Sequence, residues 1–326
     1  MTGRASVFSD PRVIATLRDR FVPVTDNCSY TQRQQDAKGE FFRHVAEQGH
    51  YGGRTKPTVT RQGLYACTAD GDLLASVNTT DADRLLATLD DALTAWDARE
   101  VGDEAAPGGY AVDARYDRSF PEGGLILRGT MRDLPRADDP DAPTWQHNFD
   151  YMWLTAAEAD ALVPRDPDVG QEFDAPRSVV TRLARFHLVD QVRGEAPPWR
   201  AEDVEAARVS LRVEEVEGAR VTMSVTGHVK VGRGPTGEVN PYSDFKVDME
   251  RGVDVELVGT VDVDADSRAV TGLRIVATGV RWGATTYNVR SKDLGPAPIG
   301  FAFELIPAIP ENRTPPKFLL GSYFAG

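Results

Sequence analysis

Apolar and polar side chains alternate with a period of two over much of the second half of the chain. The alternation runs through residues 209–213, 221–231, 253–263 and 273–275, and tight turns such as Glu217-Gly218 separate these stretches. Successive strand side chains point to opposite faces of a sheet, so the pattern predicts a meandering antiparallel sheet with one wet face. Closure into a barrel or a sandwich would bury the other face.

Two helices are expected to interrupt this sheet. The spacing of Thr155 and Glu158 is typical of a capping box, and apolar residues recur at helical spacing over 176–192. The first hundred residues predict a different order, namely helix, strand, helix, hairpin and helix, which is typical of an α/β sandwich. We therefore expect an α+β protein with an N-terminal α/β sandwich at 1–100, a linker at 101–109 and a larger antiparallel β domain at 110–326.

Cys28 lies where a buried strand is predicted to end and a long helix to begin. The apolar run at 21–24 predicts the strand, and the helix should extend to about residue 47. The S-x-x-Q spacing that starts at Ser29 makes Ser29 the expected N-cap, with Asn27 as the other candidate. Either choice places Cys28 at a helix N-terminus, where unpaired N–H groups and the helix dipole stabilise a thiolate. A half-buried cysteine that packs as a small apolar residue fits the same pattern.

Three further residues belong to this candidate thiol site. Arg33 is one turn along the predicted helix and would add positive charge, and Tyr30 would donate a hydrogen bond or pack beside the thiol. Cys67 has the pattern of a core residue in a strand. It would be the resolving partner of Cys28 if that strand and the helix meet.

A row of aromatic residues marks a strand of the second domain. Trp145, His147, Phe149, Tyr151 and Trp153 share one parity and would lie on one face. They predict either a core strand or an aromatic-lined pocket in the mouth of a barrel, with Trp145 and Trp153 as contacts for a small apolar ligand.

The histidines do not form a metal-binding motif. His147, Asp150 and His187 are the one set that would converge on a metal in the second domain, although structural histidines are the more common outcome. Residues 232–237 match G-x-G-x-x-G, but no helix follows them, so they predict a turn and no dinucleotide cofactor.

Composition excludes several classes of partner. The formal net charge of −13 argues against nucleic acid or an anionic membrane surface as the main partner. Two cysteines cannot form a disulfide framework, and no window approaches the ~18 apolar residues that a membrane span needs. The N-terminus has no signal-peptide pattern, so we expect a cytoplasmic protein. The sequence does not indicate an oligomeric state.

Several segments resemble a group of uncharacterised bacterial two-domain thioredoxin-like proteins. These segments are VFSDPRVI at 7–14, RFVPV at 20–24, DAKGEFFR at 36–43, TRQGLY at 60–65, ADGDLL at 69–74, NFDYMWL at 148–154 and RFHLVD at 185–190. The resemblance implies a thioredoxin-like N-terminal domain without the Cys-x-x-Cys motif and without the usual cis-proline. Arg61 and Gln62 then lie where thioredoxin-like folds hold a substrate backbone. The group brings no assigned reaction.

Three functional hypotheses follow. The first is thiol-based redox or sulfur chemistry on a small-molecule thiol or sulfur substrate or a protein partner, with Cys28 as the nucleophile. The second is a non-catalytic module in which the β domain binds a ligand or a partner protein. The third and weaker one is capture of a soft metal by the thiolates of Cys28 and Cys67.

Overall fold

A computed structural model describes residues 7–26, 28–52, 61–99, 120–137, 139, 147–235, 249–285, 287–319 and 322–325. The chain divides into two compact units, Met1–Ser119 with Ile309–Pro315 and Phe120–Ala308 with Pro316–Gly326. The predicted linker at 101–109 lies outside the described residues. No helix within these ranges is long and apolar enough to cross a membrane.

The N-terminal unit combines helices with a β-hairpin. Its elements are α1 (Pro11–Arg20), α2 (Cys28–Thr31), α3 (Ala37–Gln48), β1 (Leu64–Cys67), β2 (Leu73–Val77) and α4 (Ala82–Asp97). Asp10 caps α1 by accepting a hydrogen bond from the Arg12 N–H, and Pro11 is the first residue of the helix. The predicted hairpin is confirmed, and it turns at Asp70-Gly71. The described β-sheet of this unit has two strands, and a thioredoxin-like architecture stays a prediction.

The predicted strand at residues 21–24 is wrong. These residues are in no strand or helix, and Val22 and Val24 are 90% and 87% exposed. Pro23 explains the difference, since proline has no N–H to give to a β ladder and interrupts so short a run.

The single long helix predicted from Ser29 is also wrong. Two helices replace it, and Asp36 caps the second by accepting a hydrogen bond from the Gly39 N–H at 2.7 Å. Because α2 begins at Cys28, Ser29 lies inside the helix and is not its N-cap. The expected capping partner, Gln32, instead accepts a hydrogen bond from the Arg61 N–H at 2.8 Å.

The C-terminal unit contains an eight-stranded antiparallel sheet in the order β4-β3-β10-β9-β8-β7-β6-β5. The strands are β3 (Leu125–Asp133), β4 (His147–Leu154), β5 (Glu172–Asp174), β6 (Val204–Glu217), β7 (Arg220–Arg233), β8 (Arg251–Asp264), β9 (Ala269–Gly283) and β10 (Ala297–Ile306). The predictions of an α+β protein and of a large antiparallel sheet are therefore confirmed. Within the described residues no ladder joins the edge strands β4 and β5, so no closed barrel is seen.

Two short helices accompany this sheet. The helix α5 (Ala156–Asp160) begins with the predicted capping box of Thr155 and Glu158. The helix α6 (Arg177–Arg182) continues into a π-helical turn, Leu183–His187, and ends well before the predicted residue 192.

The sheet curls around α6. An apolar cavity of about 40 Å³ is lined by Met152 of β4, by Val180 of α6 and by Leu211 of β6, which lies near the other edge of the strand order. Glycines at inward-facing strand positions permit the curl. A Cβ on Gly259 would lie 2.2 Å from the Arg274 carbonyl oxygen, and one on Gly279 would lie 2.0 Å from that of Asp254. Only glycine allows such close approach of neighbouring backbones.

Candidate functional site

The structure supports the predicted thiol site only in part. Cys28 is partly buried and begins α2, as expected, but α2 has four residues, so its dipole is much weaker than that of the predicted long helix. Cys67 lies at the end of β1, and neither cysteine is in a disulfide. Burial raises the pKa of the Cys67 thiol, and the nearby Asp70 carboxylate raises it further. Cys67 is therefore a poor source of thiolate.

The other residues assigned to the thiol site differ in their exposure and contacts. Arg61 is buried, and its guanidinium donates to the Gly52 carbonyl at 3.0 Å, so it supports a loop. Gln62 is exposed and Arg33 is half-buried. The side chains of Ser29 and Tyr30 lie outside the described part of the chain. Among the described residues, no group of three or more histidine, cysteine or acidic side chains is placed to hold a metal ion.

The aromatic row on β4 leads from an exposed end into the core. His147 is exposed, Phe149 is half-buried, and Tyr151 and Trp153 are buried. The Trp153 ring packs edge-to-face against Phe120 with ring centroids 5.1 Å apart. The apolar cavity is lined from β4 by the opposite face of the strand, and Trp145 lies outside the described residues.

Asp150 and His187 do meet, but in a buried chain of polar contacts. His187 Nδ1 lies 3.2 Å from Asp150 Oδ2, and His187 Nε2 lies 2.8 Å from the Tyr323 hydroxyl. The hydroxyl in turn accepts a hydrogen bond from the Trp153 N–H on the open edge of β4. His147, the third residue of the predicted metal set, is exposed. The chain of polar groups therefore satisfies backbone groups at the edge of the sheet.

The strongest concentration of charge is at one end of the curled sheet. We call it the arginine end, and it comprises Arg136, Arg193, Arg233, Arg251, Arg281 and Arg290. Strand register explains the gathering: Arg251 of β8 lies opposite Arg233 of β7, and Arg281 of β9 lies opposite Val253 of β8. Asp133 ends β3 beside the start of β10, which pairs with the end of β9.

Arg290 is fully buried and forms the fixed centre of the arginine end. Its guanidinium pairs with both carboxylate oxygens of Asp190, at 2.8 and 2.9 Å, and with both of Asp133, at 3.0 and 2.6 Å. Burial disfavours the ionised form of Asp133, but Arg290 and Arg193 outweigh burial and lower the pKa of this carboxyl. Paired in this way, the two carboxylates have little capacity left for other partners.

Asp293 lies at the outer side of the arginine end. Its Oδ2 atom is 2.7 Å from Arg136, 3.1 Å from Arg193 and 3.3 Å from Arg290, and it also contacts Arg281. Burial opposes ionisation, yet the surrounding guanidinium groups lower the pKa of Asp293 to about 2. Asp293 is therefore ionised at any ordinary pH.

Within the described residues, Arg251 and Arg233 are the members of the arginine end without a carboxylate partner, and Arg251 is the buried one. It is 6% exposed, donates one hydrogen bond to the Pro197 carbonyl at 3.0 Å, and stacks 3.9 Å from the centre of the Trp199 ring. Within the described residues no carboxylate lies at ion-pair distance. Burial and, to a smaller extent, the positive charge of Arg233 lower the pKa of Arg251 to about 10, while the carboxylates of Asp203 and Asp190 act in the opposite direction.

Charge at this end is not balanced. The carboxylates that act on it are Asp133, Asp190, Asp203 and Asp293. Asp190 is taken by Arg290, and Asp203 accepts a hydrogen bond from the Arg200 N–H. Among the described residues, six guanidinium groups therefore face four carboxylates. The excess positive charge is unusual in a chain with a formal net charge of −13.

The arginine end was not predicted from the sequence, although part of its signal is visible there. Arg251 has the parity of the buried Val253 and Val255, and Arg281 has the parity of the inward-facing Leu273 and Ile275. An arginine at a core position of a strand indicates a buried cation and predicts an anionic neighbour. Which residue is that neighbour depends on strand register, so the sequence around the arginine does not identify it.

No family model, curated protein or solved structure matches this chain. The functional argument therefore rests on the geometry of the chain itself.

Proposed function

We propose that the C-terminal unit is a non-catalytic binding module, and that it holds a ligand with a carboxylate or phosphate group at the arginine end. Arg251 carries the proposal. A buried cation with one carbonyl partner and a like charge opposite it in register is destabilising unless an anion joins it.

The arrangement suits a planar or tetrahedral oxyanion. Trp199 fixes the plane of the Arg251 guanidinium, and the half-buried Arg233 provides a second fork of donors toward solvent. Arginine recognises carboxylate and phosphate through paired N–H groups, and such contacts are strongest where water is excluded. The curled sheet carries the site, and Val180 of α6 packs into the core of the same sheet.

Calorimetric titration with inorganic phosphate and with citrate tests the proposal. We expect binding by the wild-type protein and a loss of roughly tenfold or more in affinity in Arg251→Met, which keeps the stack on Trp199 and removes the charge. We also expect this variant, without ligand, to be at least as stable as the wild type, since a buried unpaired cation is gone. The matched control is Arg274→Gln on the outer face of β9.

Two results would reject the anion site. One is the absence of phosphate and citrate binding by the wild type at millimolar concentration. The other is unchanged affinity together with lower stability in Arg251→Met, which would make Arg251 a structural residue.

A second candidate function is thiol chemistry at Cys28. It is supported by the position of Cys28 as the first residue of α2 and by its partial exposure. Thiol chemistry at Cys28 also assumes the resemblance to thioredoxin-like proteins. The order of helices around the β1–β2 hairpin supports that resemblance.

The rate of Cys28 alkylation against pH, in a Cys67→Ser background, tests this second candidate. An activated thiol predicts an apparent pKa below the ordinary value of ~8.5. An apparent pKa at or above that value would reject thiol chemistry and leave ligand binding as the remaining proposal. Soft-metal capture predicts instead a stoichiometric thermal shift with zinc or copper(I) that Cys28→Ser abolishes.

A further inference from the structure

We propose that Asp293 is an internal occupant of a second anion subsite at the arginine end, and that a phosphate or carboxylate group of the ligand displaces it. The inference rests on the proposed binding function and extends it. In the protein without ligand, the Asp293 carboxylate would occupy the subsite that an anionic group of the ligand takes on binding.

The contacts of Asp293 differ from those of the other two aspartates. Asp133 and Asp190 each use both oxygens to pair with Arg290, which fixes their orientation. Within the described residues, the side-chain contacts of Asp293 with its four arginines all fall on the single atom Oδ2. One carboxylate oxygen cannot satisfy four guanidinium groups in good geometry, whereas a phosphate offers several oxygens to the same donors.

Arg281 provides an independent observation. It is 0% exposed, and its Nε–H has no hydrogen-bond partner within the described part of the chain. A buried donor that stays unsatisfied is rare and costs free energy. The Asp293 carboxylate therefore leaves the Arg281 Nε–H without an acceptor. A larger anion at the same place would reach this donor.

Asp293 lies on a connection that reaches solvent, and its backbone N–H donates to the Arg290 carbonyl at 2.8 Å. It lies in the connection between β9 and β10, its side chain is 16% exposed, and its neighbours Ser291 and Lys292 are exposed. Val289, just before the buried Arg290, has a φ of 57°. A β-branched residue is strained in this region, so a rearrangement of the connection can release strain.

Phosphate affinity of Asp293→Asn tests the inference. Removal of the competing charge should raise the affinity for inorganic phosphate by roughly tenfold, and Arg136→Gln added to Asp293→Asn should reverse the gain. The control is Asp266→Asn in the exposed turn between β8 and β9, which should leave the affinity unchanged. Unchanged or weaker binding by Asp293→Asn would show that Asp293 is only a structural counter-ion.

Trypsin cleavage after Lys292 tests the same point in the wild-type protein. Displacement of Asp293 should make cleavage faster when phosphate is added, whereas a fixed counter-ion predicts an unchanged or slower rate.

The two proposals fail in different ways. If the wild type binds phosphate through Arg251 but Asp293→Asn gains nothing and cleavage does not accelerate, the displacement is wrong and the binding function stands. If neither the wild type nor Asp293→Asn binds phosphate, both proposals are wrong.

Discussion

Glu158 illustrates how single residues stabilise the C-terminal unit. Its two carboxylate oxygens accept hydrogen bonds from Arg182 at 2.7 and 2.8 Å, and Ser178 donates another at 2.6 Å. Arg182 also donates to the carbonyls of Trp153 and Tyr323, so one buried guanidinium joins α5, β4 and the C-terminal segment. Burial opposes ionisation, but Arg182 and Ser178 outweigh it and lower the pKa of Glu158 from 4.5 to about 2.

We predict that Glu158→Gln lowers the free energy of unfolding by about 3 kcal/mol near neutral pH, because it leaves Arg182 buried without its counter-charge. The folded-state pKa is below the unfolded one, so the contribution is complete above about pH 4.5 and is lost as the pH falls toward 2. Urea denaturation of both proteins across this range measures the difference.

The gap between wild type and Glu158→Gln should therefore narrow with acidification. Glu304→Gln, at an exposed position of β10, is the control and should change stability little at any pH. A gap that stays constant as the pH falls would show that ionisation of Glu158 does not contribute.

Among the elements, the long strands depend on glycine at inward-facing positions. Gly259 of β8 and Gly279 of β9 allow neighbouring backbones to approach closely where the sheet curls. We predict that Gly259→Ala destabilises the protein by roughly 1–3 kcal/mol, because the new methyl group overlaps the Arg274 carbonyl. Thermal or urea unfolding measures the loss.

Gly234→Ala is the matched control, since a Cβ there meets no atom of the described residues within 4 Å. Equal stability of the two alanine variants would contradict a role for Gly259 in the curl of the sheet.

Elements with local signals could be predicted, and elements decided by distant contacts could not. The Asp70-Gly71 hairpin and the capping box of Thr155 and Glu158 depend on residues within a few positions of each other, and both are present. The prediction of one long helix was wrong because the Gln32 side chain binds the backbone N–H of Arg61, which lies 29 residues away. The arginine end draws on segments from Arg136 to Asp293, so its composition could not be read from any one window.

At the scale of the whole molecule, the described cores of the two units differ in size. In the N-terminal unit, Val45, Ala46 and Ala92 are buried besides a small cluster that comprises Val7, Val13, Val77, Leu85 and Leu89. The core of the C-terminal unit includes residues from β3, β4 and β6 to β10. Because hydrophobic stabilisation grows with buried apolar area, the C-terminal unit should be the more stable one.

We predict two transitions in calorimetric unfolding, the first belonging to the N-terminal unit. Alkylation of Cys67 should accelerate across the first transition, since unfolding of β1 exposes the thiol. Glu158→Gln should lower the second transition by about 2–4 °C per kcal/mol of lost stability and leave the first in place. A single two-state transition that Glu158→Gln shifts as a whole would contradict the prediction that the two units unfold separately.

Both outer strands of the large sheet are poor templates for the strand of another molecule. On β4, the N–H groups of Phe149, Tyr151 and Trp153 donate to Asn148, Asp150 and Tyr323, and Arg182 occupies the Trp153 carbonyl. On the other side, β5 has three residues. Unpaired strand edges are the usual starting point for edge-to-edge assembly and amyloid growth. The polar groups along β4 therefore leave few free backbone donors on this edge for a strand of a second molecule to bind.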